Sequence, residues 1–141
     1  GYLRAKGGKK QPFQRPSKPR EFRSSAGLPI FVGRSNRQND RLTTRTAEKW
    51  DLWFHTQKIH GSHVILSTSG EQPDAQSIAE AASLAAYFSQ AQSSTKVPVD
   101  FTQVKFVKKP AAAKPGMVVY TNYQTVLADP NEELVKHLLV K

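Results

Sequence analysis

Leu52-Trp53-Phe54-His55-Thr56, followed after a turn near Gly61 by His63-Val64-Ile65-Leu66-Ser67, is the stretch that decides the fold. Both runs are short, rich in aromatic and β-branched residues, and bounded by polar turn residues. That is the pattern of two neighbouring strands. Alternation sends Trp53 and His55 to one face and Leu52, Phe54 and Thr56 to the other. One face must be core. The other either is open to a flat ligand or is filled by Trp53, with His55 making a polar contact.

Outward from this pair, Leu28-Pro29-Ile30-Phe31-Val32 ends at Gly33 and reads as a strand. Ser35 or Asn36 can cap a helix that runs to about Ala47. Downstream, a helix is expected from about Pro73 to Gln92. Its stripe of Ile78, Ala81, Ala82, Ala85, Phe88 and Ala91 is narrow enough for close approach to a sheet.

Val97, Val99 and Phe101 share one parity and Val104 and Phe106 the other, which predicts a strand with a bulge or bend near Thr102. A loop from Lys108 to Gly116 follows. Met117–Tyr120 and Thr125–Ala128 then read as a hairpin. Asp129-Pro130-Asn131-Glu132 offers a cap, a first-turn proline and a carboxylate for a short terminal helix. The class is α+β: one domain, a mainly antiparallel sheet, one long helix and a short C-terminal helix.

The 141 residues carry 21 Lys or Arg against 11 Asp or Glu, four histidines and no cysteine, for a net charge of +10. Eight of the cations and one acid fall in residues 1–25. Residues 1–26 therefore read as a flexible basic arm, either a linker or a strap for phosphates, ahead of a folded domain over residues 27–141. No apolar run reaches the roughly 20 residues a membrane span needs, and no signal-peptide pattern is visible. Without cysteine there is neither a disulfide framework nor a thiolate metal site. The expectations are a cytoplasmic setting and a polyanionic partner.

Three groups could meet such a partner. Arg34, Arg37, Arg41 and Arg45 are spaced by three, four and four, which on a helix gathers them on one face. Six cations face three acids between Phe31 and His60, so a phosphate-binding ridge competes with neutralisation by Asp40, Glu48 and Asp51. Asn36, Gln38 and Asn39 could add hydrogen bonds. Trp53, His55, Lys58, Ser62 and His63 form the second group, where a base could stack. Lys105, Lys108, Lys109 and Lys114 are the third.

The spacing of His55, His60 and His63 fits no metal motif. Ser62-His63 is a neighbour pair without a nucleophile elbow, and no phosphate-binding glycine loop occurs. No enzyme activity, cofactor, metal, membrane or small-molecule substrate is expected.

Several ordered motifs resemble one family. Val32-Gly33-Arg34-Ser35-Asn36 with Asn39-Asp40, Asp51–His55, Gly61-Ser62-His63-Val64, Ala81–Ala91, Ser94 through Thr102, and Lys108-Lys109-Pro110 through Lys114-Pro115-Gly116 are similar to the NFACT-R domain. That domain belongs to the RqcH, or fibronectin-binding protein A, proteins of ribosome-associated quality control. The likeness runs from about Leu28 to Asp129. His60 stands where the family usually carries proline.

The resemblance implies an RNA-binding part of a larger protein that engages tRNA and the large ribosomal subunit at stalled peptidyl-tRNA. It further implies support of template-free alanine tailing. It carries the RNA-binding role onto Arg34, Asn36, Asn39, Trp53, His55, Ser62, His63, Lys108, Lys109 and Lys114. Arg37, Arg41 and Arg45 rest on spacing alone. Tailing is not expected of these residues by themselves, since it involves the family's other domains. The alternative is a protein-interaction or adhesion module of the kind named by fibronectin binding.

Overall fold

A computed structural model describes residues 18–141. The element order is β1 (Arg20–Arg23), β2 (Pro29–Val32), α1 (Asn36–Arg41), a π-helical turn (Leu42–Thr46), β3 (Leu52–Thr56) and β4 (Val64–Leu66). Then come α2 (Ala75–Tyr87), β5 (Val97–Gln103), a 3-10 turn (Val104–Phe106), β6 (Val107–Lys108), β7 (Val119–Tyr120), β8 (Gln124–Ala128) and α3 (Glu132–Leu138). Six strands form one antiparallel sheet in the order β1-β2-β4-β3-β5-β8, and β6 pairs with β7 separately. The α+β class with a long and a terminal helix is what the sequence pattern led us to expect.

The deciding stretch folds as expected. β3 and β4 pair antiparallel, with Trp53 opposite Ile65 and Phe54 opposite Val64. Phe54, Val64 and Leu66 face α2, whose Ala81, Ala82, Ala85 and Ala86 are all buried against the sheet. Asp74 caps α2 by accepting from the Ser77 N–H at 2.9 Å and from its hydroxyl at 2.7 Å. Such a cap is worth about 1 kcal/mol.

The opposite sheet face holds a second, smaller core of Leu42, Trp53, Ile65 and Val104. Phe31, Val118 and Tyr120 pack around it. Tyr120 reaches it because its hydroxyl donates to buried Asp100 at 2.6 Å, which raises the phenol pKa above its ordinary range, burial being the larger cause.

Three expectations need correction. Residues 20–23, assigned to the arm, form an edge strand. Phe22 is buried against α2, and Glu80 of α2 accepts from the Ser25 N–H at 2.7 Å, so the flanking turn is pinned as well. The expected arm over residues 1–17 lies outside the described residues. Of the bulge or bend expected near Thr102, the bend forms: β5 runs unbulged to Gln103, and the 3-10 turn that follows shifts the parity. β7 and β8 are not a hairpin, because each finds a different partner, β6 and β5. Finally, α3 is capped by Asn131, which accepts from the Leu134 N–H, rather than by Asp129. Asp129 instead accepts from the Lys96 N–H at 2.7 Å.

Candidate nucleic-acid interface

α1 begins where Ser35 accepts from the Gln38 N–H at 3.2 Å. Its two sides then diverge. Gln38 and Asn39 turn inward, while Arg37 and Arg41 are exposed, as is Arg45 in the π turn. Arg34 precedes the helix and points elsewhere, its Nε donating to the Lys18 carbonyl at 2.7 Å. The four-arginine ridge is therefore three arginines plus one apart.

Among the described residues Arg37, Arg41 and Arg45 form no ion pair with Asp40, Glu48 or Asp51. Asp40 is bound to the Lys109 ammonium at 3.1 Å and to the Gly116 N–H at 2.8 Å. Buried Asp51 accepts from the backbone of Glu48 at 2.9 Å and of Thr68 at 3.1 Å. Glu48 makes no ion pair in the described structure. The exposed guanidinium groups of Arg37, Arg41 and Arg45 thus lie in a stretch where only Glu48 is an uncommitted acid, so positive charge dominates.

Beneath α1 lies a buried pin. Asn39, 4% exposed, accepts the His63 N–H at 3.1 Å through its side-chain oxygen. A Cβ at position 33 would sit 1.9 Å from that oxygen, so only glycine fits there. His63 is 1% exposed. Its Nε2 donates to the Gly116 carbonyl at 3.1 Å, and its Nδ1 accepts from the Thr43 hydroxyl at 2.8 Å. A carbonyl only accepts, which assigns the neutral tautomer. Burial above all, with His55 second, lowers the His63 pKa to about 4.

The loop from Lys109 to Gly116 is tied to this pin. Lys109 donates to the Lys114 carbonyl at 2.7 Å besides pairing with Asp40. Gly116 sits at φ +85°, and a Cβ there would lie 3.0 Å from Asn36 Oδ1, so Asn36 packs against the loop. Lys108 and Lys114 remain exposed, and so does Lys105, whose ammonium lies 5.2 Å from the Phe106 ring centroid. Lys58, at φ 57°, borders a hollow of about 360 Å³ with His55, Met117 and Tyr120.

Trp53 is 1% exposed, so its ring offers no open face. Its ring lies 4.6 Å from Tyr120 and 5.7 Å, parallel, from His55. His55 is half-buried, its Nδ1 donates to the Thr56 carbonyl at 2.7 Å, and burial lowers its pKa. Ser62 is half-buried beside Phe88, whose carbonyl accepts its N–H. Among the described residues no histidine, aspartate or glutamate cluster could hold a metal ion, and no helix is long and apolar enough to cross a membrane.

With this geometry in place, comparison with known proteins is informative. A family model described as the NFACT protein RNA binding domain matches residues 18–122. The chain belongs to that family. It is 49% identical over 136 residues to the Rqc2 homolog RqcH of Bacillus subtilis, covering 95% of this chain and 24% of that protein. The Rqc2 homolog RqcH of Streptococcus pneumoniae is 40% identical over 136 residues, again 24% of its length. The chain thus spans about a quarter of these relatives. The solved C-terminal part of the fibronectin/fibrinogen-binding protein of Streptococcus suis superposes with a TM-score of 0.89 at 38% identity. That match covers 99% of this chain and 55% of the solved one.

In this NFACT RNA-binding domain, the residues singled out from sequence divide in two. Asn39, Trp53 and His63 are buried, and Lys109, though exposed, has its ammonium paired with Asp40 and bonded to the Lys114 carbonyl. Arg37, Arg41, Arg45, Lys58, Lys105, Lys108 and Lys114 are exposed cations. Sequence reasoning missed Arg20, counted with the arm, and Trp50, an aromatic 47% exposed. The apolar Phe22 two residues beyond Arg20 was the available signal for a strand there.

Proposed function

We propose that this domain binds structured RNA by shape and phosphate, contacting tRNA or large-subunit rRNA within a longer, cytoplasmic quality-control protein. It does so without catalysis and supports C-terminal alanine tailing by the whole protein. One observation carries the reading: Arg37, Arg41 and Arg45 are exposed and form no ion pair among the described residues, while Asp40 is committed to Lys109 and Asp51 to backbone, which leaves Glu48 as the one uncommitted carboxylate of the three in that stretch. Such a surface favours a polyanion and gains by releasing its counterions. Exposed Lys108 and Lys114 flank a loop that docks on α1, which extends the same basic surface.

The test is fluorescence anisotropy of labelled tRNA across a salt series, with residues 1–141 and with residues 18–141. Steep salt dependence retained in the shorter chain supports an RNA site on the folded domain. Binding that disappears with residues 1–17 assigns RNA affinity to that segment instead. The printed name of the Streptococcus suis relative suggests fibronectin as the competing partner. Fibronectin binding that outlasts tRNA binding at high salt would favour that reading.

A further inference from the structure

Arg20 of β1 and Arg34 border one cleft, of about 270 Å³, between the edge of the sheet and the C-terminal end of α2. Ser35, Asn36 and Ser62 also line it, and no carboxylate does. That volume falls just short of the roughly 300–1,000 Å³ of small-molecule pockets and suits a single phosphate group better than a whole nucleotide.

The two guanidinium groups are held in place rather than free. Arg20 lies over the Phe88 ring, 4.9 Å from its centroid. Arg34 is fixed by its Nε bond to the Lys18 carbonyl, which leaves its terminal NH2 groups without a partner among the described residues. Burial and the neighbouring charge of Arg34 both lower the Arg20 pKa. Glu21, adjacent in sequence, projects to the opposite face of β1 by strand alternation. Two restrained guanidinium groups lining one cleft that no carboxylate lines suit recognition of an anionic oxygen pair.

We propose that this cleft seats one phosphodiester of the bound RNA backbone, gripped from two sides by Arg20 and Arg34. The site rests on the RNA-binding reading above and adds a contact distinct from the α1 arginines. The Ser35 hydroxyl, whose oxygen accepts from the Gln38 N–H, has its own proton left to donate to the same phosphate.

The experiment is tRNA anisotropy at low and moderate salt with wild type, Arg20→Gln, Arg34→Gln and the double variant. Each single variant is expected to weaken binding about fivefold to tenfold and to reduce the salt slope by about one. Because both arginines hold one phosphate, the double variant should lose clearly less than the product of the two single losses.

Wild-type affinity in both single variants overturns the cleft, as does full multiplicativity in the double variant. Wild-type protein that does not bind tRNA overturns the RNA reading itself, so the two failures are distinguishable. Thermal melts accompany each variant. Should Arg20→Gln unfold the edge strand, Arg34→Gln, at an exposed position outside the sheet, still decides the matter.

Discussion

The two sides of α1 use polar residues to opposite ends. On the outer side Arg37 and Arg41 are exposed with no internal counter-charge. On the inner side Asn39 and, beyond it, His63 are buried and hydrogen-bonded within the protein. Both sides belong to the stretch that looks functional in the sequence, yet one is available to a partner and the other holds the loop that presents it. Polar character alone therefore does not mark a binding residue. What marks it here is whether the protein has already satisfied the group.

The comparison breaks most sharply at the inner side. Trp53→Ala should cost about 3–5 kcal/mol of stability in urea unfolding, the range for emptying a large buried aromatic site. Trp53→Phe should cost far less, because the indole N–H is buried without a partner and its loss removes no hydrogen bond. An equal cost for the two would mean that the indole has a role the packing does not reveal.

A pH series tests the pin itself. His63 has a folded pKa of about 4 against an ordinary 6.5, so the unfolded chain binds its proton first. Stability is fully present above about pH 6.5 and falls as the pH drops towards 4, by about 3 kcal/mol in total. His63→Gln should be less stable at pH 7 and should flatten that fall. An unflattened profile would assign the acid sensitivity to other groups.

Smaller, and sharpening the contrast within a single motif, is the pair of lysines in the docked loop. Lys109→Met should lower stability by about 1 kcal/mol, since it frees Asp40 and two loop carbonyls from a partly exposed ammonium. Lys114→Gln should leave the thermal midpoint where it is. Equal effects on the melt would show that Lys109 is as dispensable to the fold as its exposed neighbour.

Much of the fold was legible because local patterns and tertiary packing agree. The alternation of Leu52–Thr56 and the alanine stripe of α2 each have one solution that buries apolar surface. β1 was hidden because four residues with two arginines carry too little periodicity, and only Phe22 and a long-range partner in β2 specify them. The false hairpin arose because adjacency in sequence says nothing about which edge is vacant, and β5 offered β8 an edge while β6 took β7.

The candidate site was legible in its cations and not in its burial. Strand parity placed Trp53 and His55 together but could not show that Leu42, Val104 and Tyr120 would cover Trp53. Likewise, the spacing of Arg34 with the other arginines presumed a helix that starts only at Asn36.

The most direct test is the variant Arg37→Glu/Arg41→Glu, measured for tRNA affinity and thermal midpoint on the same preparation. The account predicts binding at least tenfold weaker, with a melt within about 2 °C of wild type, since neither side chain makes an internal ion pair. Unchanged affinity would contradict it, and so would a loss of affinity that simply follows a loss of fold.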